Sequence, residues 1–169
     1  MYQGAICFLL RGEKGKEEVC LARKLHGLGE ECYGKDFWNG YGGKARAEES
    51  MVECALREAS EEAAVSIDPR ALIQKAVVVT HRGVIPFFEL HVFIAIKWDG
   101  DPKETSEMGP PAWFPVWNLP FEDMFPDDHS WLPTAITGEP FNADVYLSER
   151  GEMVTRVVFS EPRFTEGPA

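Results

Sequence analysis

Apolar and polar positions change period several times along the chain, and each change marks an element. Gly4–Leu10 is a nearly unbroken apolar run, which predicts a buried strand. Gly12-Glu13-Lys14-Gly15-Lys16 predicts a turn and Glu18–Arg23 a returning strand. Leu25–Lys35, rich in glycine and polar residues, predicts a loop, and the glycines of Trp38–Lys44 predict close backbone approach to a ligand. Ala71–Thr80 and Phe87–Trp98 predict strands joined by a turn around Arg82–Pro86. Asp99–Pro111 predicts a long connection, Trp113–Val116 a short strand and Pro120–Pro126 another loop. His129–Thr137 predicts a helix, with Asp127 or Asp128 near its N-cap and Gly138 just beyond its end. Phe141–Leu147 and Met153–Phe159 predict a hairpin across Ser148–Gly151, followed by a frayed tail, Ser160–Ala169.

One stretch has an unmistakable helical period. Ser50 and Glu53 fit a capping box, and Val52, Ala55, Leu56, Ala59 and Ala63 follow as an apolar stripe. Glu58, Glu61 and Glu62 lie apart from that stripe, at i, i+3 and i+4, with Cβ atoms roughly 5–6 Å apart. Like charges so placed cost a helix a few tenths of a kcal/mol per pair. A hard divalent cation, Mg²⁺ or Mn²⁺, would compensate them through oxygen ligands. On three glutamates alone, a solvated acidic face is the simpler account.

The chain has 169 residues and is 44% apolar and 27% charged, which suits one domain with a proper core. The expected class is α+β, a mixed β-sheet between α-helices. The formal net charge of −11 disfavours a nucleic acid polymer as partner. It leaves a small polyanion open, because a bound metal inverts the local field. Cys7, Cys20, Cys32 and Cys54 have no CxxC spacing, so zinc is not indicated and reduced thiols in a cytoplasmic protein are expected. The apolar run Ala5–Leu10 is too short for a signal peptide or a membrane span.

Gly43–Val65 extends the helical stretch into a longer pattern. Gly43, five residues, Glu49, seven residues and then Arg57-Glu58-Ala59-Ser60-Glu61-Glu62 resemble the Nudix box of hydrolases that act on nucleoside diphosphate-linked substrates. The match departs from the family only at its last glycine, here Ala64, which would have to enter the left-handed region at a cost on the order of 1 kcal/mol. Trp38-Asn39-Gly40-Tyr41-Gly42-Gly43-Lys44, Leu90–Phe93, Glu107-Met108 and Leu119–Asp128 with Trp131 resemble the MutT-homologue oxidised-purine nucleoside triphosphatases. That similarity runs from about Val19 to the final hairpin.

The resemblance implies the Nudix fold and metal-dependent hydrolysis of a nucleoside triphosphate, such as 8-oxo-dGTP, to the monophosphate and diphosphate. It implies Glu58, Glu61 and Glu62 as ligands for one to three Mg²⁺ ions, with the Gly42 carbonyl and Glu107 as further ligands. Arg57 would orient Glu49, Lys44 would meet a phosphate, and Glu61 or Glu62 would serve as general base. Asn39, Asp127 and Asp128 would hydrogen-bond the base; on spacing alone the two aspartates serve equally well as helix caps. Adjacent carboxylates in an apolar pocket cannot both ionise easily, so one should hold a proton to donate. Trp131 would line the pocket and Lys24 lie near the ligand, although a core tryptophan and an exposed lysine are the ordinary alternatives. Phe125 stands where the family has tryptophan. Leu28 aligns with a family phenylalanine, beside an insertion around Glu30–Asp36. The competing functions are a Nudix hydrolase of an mRNA cap, ADP-ribose or a dinucleoside polyphosphate, and a non-catalytic nucleotide sensor. The sequence leaves monomer or dimer open.

Overall fold

The computed structural model describes residues 1–27 and 32–164. In chain order the strands are β1 (Tyr2–Arg11), β2 (Glu18–Arg23), β3 (Trp38–Asn39), β4 (Tyr41–Lys44), β5 (Leu72–Arg82), β6 (Ile85–Ala95), β7 (Ala112–Pro115), β8 (Phe141–Leu147) and β9 (Val154–Ser160). Helix α1 (Met51–Ala63) follows β4, and α2 (Asp128–Thr137) precedes β8. The sheet order is β3-β2-β1-β6-β5-β8-β9, with β4 on β1 and β7 on β2. It is mixed: β1 runs parallel to β6 and β5 parallel to β8, and the remaining pairs are antiparallel.

β1 is an interior strand, and its continuous apolar run is explained by two cores. Successive side chains point to opposite faces. Ala5, Cys7 and Leu9 join α1 through Cys54, Ala55, Ala59 and Ala63. Ile6 and Phe8 join α2 through Trp131, Leu132, Ala135 and Ile136. Helices thus cover both faces of the sheet. Along one edge β1 divides its partners: Gly4–Cys7 pair with β4 and Leu9–Arg11 with β2. The glycine-rich stretch Trp38–Lys44, to which the sequence assigned no element, forms β3 and β4. Its backbone groups are claimed by β2 and β1, a pairing that local propensity does not reveal.

α1 begins as anticipated: the Ser50 hydroxyl accepts from the Glu53 amide, and the Glu53 carboxylate accepts from the Ser50 amide at 2.8 Å. Its buried stripe differs from expectation. Val52 is exposed and Cys54 takes its place, while Glu58 and Glu62 are themselves buried. The helix lies turned toward its acidic face. At its end Ala64 sits in the left-handed region, φ 58°, and its amide donates to the Ser60 carbonyl. The 99–111 connection satisfies two more of the terminal carbonyls. Lys103 N–H donates to Ala63 O at 3.0 Å, and the Thr105 hydroxyl donates to Glu62 O at 3.2 Å.

α2 lacks the expected side-chain cap. Asp127 is its N-cap residue and makes no capping hydrogen bond, whereas Asp128 Oδ2 accepts the Phe125 amide at 3.2 Å. The Pro120–Pro126 segment contains a single 3₁₀ turn, Phe121–Asp123, and the predicted tail begins inside β9. No helix among the described residues is long and apolar enough to cross a membrane.

The strained end of α1 is testable. Ala64→Gly relieves the left-handed alanine and should stabilise the protein by about 1 kcal/mol, read as a higher urea midpoint at unchanged m-value. An unchanged midpoint would show that the helix end carries no such strain.

Candidate active site

Small side chains set the geometry of the site. Cys54, Ala55, Ala59 and Ala63 let α1 settle closely onto β1 and β4. Its acidic residues then reach the glycine edge of β4. A Cβ added at Gly43 would stand 2.5 Å from Glu58 Oε1, so a larger residue there would displace the Glu58 carboxylate. Glu58 is 7% and Glu62 3% exposed, whereas Glu61 remains open to solvent.

Buried carboxylates need compensation, and Arg57 supplies most of it. Its Nε and Nη2 donate to the two oxygens of Glu49 at 2.6 and 3.0 Å, a bidentate fork. Its Nη1 reaches Glu58 Oε1 at 2.7 Å and Glu61 Oε2 at 3.0 Å. The Glu49 carboxyl is held down to about 2, chiefly by these Arg57 hydrogen bonds. Glu61 also accepts from Arg46 Nη2 at 3.1 Å. Glu62 accepts the Gly42 amide at 2.8 Å and lies 3.6 Å from Lys24 Nζ. Burial nevertheless raises its carboxyl to about 7, with Lys24 and the Gly42 amide opposing the rise.

As they stand, no three His, Cys, Asp or Glu side chains among the described residues converge to hold an ion. Each box carboxylate is turned toward a protein donor. The donor set still suits a hard divalent cation: it is all oxygen, and Glu62 is a buried carboxylate short of positive charge. The Gly42 N–H points out of the β-ladder to Glu62, and in an antiparallel strand its carbonyl projects to the same side.

The second cluster lies at the other end of β4. Asn39 is buried, and its Oδ1 accepts the Gly40 amide at 3.0 Å. Gly40 rests against the Phe8 ring, Phe8 meets Trp131 edge-on at 6.5 Å, and Trp131 Nε1 donates to Asp127 Oδ2 at 3.4 Å. This run links Asn39 with Asp127 and Asp128. Asp128 is 5% exposed; burial first, and the Asp127 charge second, push its carboxyl well above the usual range. Burial raises Asp127 as well. Phe125 packs edge-on against Phe37 at 5.3 Å and Tyr33 at 5.6 Å.

The other candidates take different places. Lys24 is an ion-pair partner of Glu62 rather than an exposed lysine, and Trp131 is fully enclosed core at 1% exposure. Lys44 Nζ lies 3.9 Å over the Tyr2 ring, and its carbonyl accepts from Arg57 Nη2. Glu107 is exposed; its carbonyl anchors the Leu25 amide, and its charge contributes to the raised Glu62 carboxyl. Leu28 lies outside the described residues. Sequence reasoning missed Arg46, Phe8, Tyr33 and Phe37. The last two belong to a segment with no periodicity, where their aromatic character was the one available signal.

A NUDIX domain family model matches residues 1–135. An oxidized purine nucleoside triphosphate hydrolase from Danio rerio is 32% identical over 119 residues, 70% of this chain and 75% of the relative. The Mus musculus protein of the same description is 33% identical over 121 residues, again 70% and 75% of the two chains. The crystal structure of a MutT protein from Bacillus halodurans superposes with a TM-score of 0.72 at 18% identity, covering 96% of this chain and all of that one.

The aspartate pair has a pH signature. An unfolded Asp128 loses its proton near pH 4, while the folded one keeps it to higher pH. Its stabilising contribution is therefore complete below about pH 4 and is lost as pH rises. Asp128→Asn removes that titration and keeps an acceptor for the Phe125 amide. Its urea midpoint should gain on wild type steadily from pH 4 to pH 7; a constant gap would show that Asp128 ionises normally.

Proposed function

Because the chain belongs to the NUDIX domain family, we propose that it hydrolyses oxidised purine nucleoside triphosphates, such as 8-oxo-dGTP, to the monophosphate and diphosphate. The observation that carries the chemistry is the seam of Glu58 and Glu62 buried against Gly42 and Gly43. The choice of substrate rests on the Asn39, Asp127 and Asp128 cluster, together with the zebrafish and mouse relatives.

Glu58, Glu61 and Glu62, with the Gly42 carbonyl, would hold Mg²⁺, or Mn²⁺ in its place. Bound there, the cation neutralises the polyphosphate and makes water a better nucleophile. Arg57 keeps Glu49 ionised and fixes the rotamers of Glu58 and Glu61. Lys24, at 3.6 Å from Glu62, would turn its flexible stem from that carboxylate toward a phosphate. Water attack breaks the anhydride between the α- and β-phosphates, and Glu61 or Glu62 accepts the proton. A protonated aspartate of the Asp127–Asp128 pair donates to an acceptor on the purine, and its ionised neighbour accepts from an N–H. Asn39 adds an amide edge. The exposed Glu107 extends the acidic rim. Action on free nucleotide rather than polymer accords with the net charge of −11, and residence in the cytoplasm accords with the thiols of Cys7, Cys20 and Cys54, which form no disulfide.

The test is a comparison of 8-oxo-dGTP, 2-oxo-dATP and dGTP with Mg²⁺, scored by kcat/KM. Oxidised forms should be favoured, and Glu62→Gln should lower kcat about 10²- to 10⁴-fold with a smaller effect on KM. Wild-type turnover by Glu62→Gln would refute the site, and equal kcat/KM for dGTP would refute the substrate.

A further inference from the structure

The cations that face the α1 carboxylates are held very differently. Arg57 is largely buried, and every nitrogen of its guanidinium is engaged, with Glu49, Glu58, Glu61, the Lys44 carbonyl and the Cys54 thiol. Lys24 is 14% exposed beside Glu62. Arg46 stands apart: its side chain is 64% exposed, and it reaches Glu61 with Nη2 at 3.1 Å from Oε1.

The backbone that carries Arg46 is pinned, although its side chain is open to water. Its amide donates to Glu49 Oε2 at 2.8 Å, and its carbonyl accepts the Glu49 amide at 3.2 Å. Glu49 is gripped in turn by Arg57. The turn between β4 and α1 therefore presents Arg46 at a set place beside Glu61. Lys44, two residues earlier, is engaged elsewhere, over the Tyr2 ring at 3.9 Å.

Glu61 thus has one committed oxygen and one exchangeable oxygen. Oε2 belongs to Arg57 Nη1 at 3.0 Å, and Oε1 belongs to Arg46. A cation that uses Glu61 as a ligand takes Oε1 most readily, and there it meets Arg46. An ion pair this exposed is weak, and a divalent ion carries twice the charge of a guanidinium. A guanidinium released at that point stands beside the polyphosphate such an ion would hold, and its planar fork matches phosphate oxygens.

We propose that Arg46 and a divalent cation compete for Glu61, and that the displaced guanidinium pairs with the triphosphate of the substrate. Arg46 is then a substrate-positioning residue that couples metal loading to phosphate capture. The inference rests on the proposed hydrolysis at this site, so its test reads metal binding apart from turnover.

Mn²⁺ binding without nucleotide is followed by electron paramagnetic resonance at low ionic strength for wild type, Arg46→Gln and Arg46→Lys, and KM for 8-oxo-dGTP is measured for the same proteins. Arg46→Gln should bind Mn²⁺ about two- to fivefold more tightly than wild type, because no guanidinium competes for Glu61. Its KM should nevertheless rise about three- to tenfold, with kcat within about threefold. Arg46→Lys keeps the charge, so its Mn²⁺ affinity should stay within about twofold of wild type. A merely structural Arg46 would weaken metal and substrate together. Unchanged or weaker Mn²⁺ binding by Arg46→Gln, equal tightening in Arg46→Lys, or an unchanged KM overturns the inference and leaves the hydrolase intact. If wild type hydrolyses no nucleotide, the Kd of a non-hydrolysable triphosphate analogue with Mn²⁺ replaces KM. Opposite shifts of metal and triphosphate affinity in Arg46→Gln then support the exchange despite the failed hydrolase; shifts in one direction, or a wild type that binds no Mn²⁺, overturn it.

Discussion

Glu58 and Glu62 are carboxylates withdrawn from water, and the surrounding structure is arranged to keep their charge tolerable. Burying one ionised carboxylate without partners is prohibitive, and even a paired one retains a penalty of several kcal/mol. The fold meets that constraint from three sides. Arg57 bridges Glu49, Glu58 and Glu61; the Gly42 amide and Lys24 share Glu62. The small residues of α1 and the glycines of β4 exist in the same service, because a bulkier pair would hold helix and strand apart. Compensation remains incomplete at Glu62, whose carboxyl stays near 7. A buried carboxylate with incomplete compensation is a place for a cation.

The two clusters of the site impose opposite electrostatic conditions with the same residue type. Around α1 the carboxylates are surrounded by cations and amides, and Glu49 is held strongly acidic. Around α2, among the described residues, the aspartates meet Trp131 and a backbone amide, with the charge of His129 acting on Asp127, and burial raises both carboxyls. One end is therefore suited to collecting positive charge, and the other to presenting a neutral carboxyl as a hydrogen-bond donor. β4 and β3 join them: Gly42 and Gly43 serve the first end, Asn39 and Gly40 the second.

Much of this was legible before any coordinates. The capping box, the helix end at Ala64 and most strands follow from local pattern, because capping chemistry and periodicity are local properties. The rotation of α1 was not legible. Val52 reads as apolar and Cys54 as neutral, and only docking against β4 decides which one is covered. The pairing of the glycine stretch into β3 and β4 depends on partners far along the chain. Trp131 illustrates the reverse case: its type suggested a pocket wall or core, and its Nε1 contact with Asp127 ties the two together. Tyr33 and Phe37 belong to no periodic element, and a loop held by left-handed residues and one arginine leaves little trace in the pattern of apolar positions.

The central claim, that the α1 seam exchanges its protein counterions for a divalent cation, is tested most directly by counting bound metal. Mn²⁺ binding can be titrated by electron paramagnetic resonance in the presence of a non-hydrolysable triphosphate analogue, using wild type and a Glu58→Gln/Glu62→Gln variant whose fold is verified by circular dichroism. The account predicts at least one tightly held ion per wild-type chain, lost or weakened about 10- to 100-fold in the variant. Equal occupancy and affinity in the two proteins would contradict it.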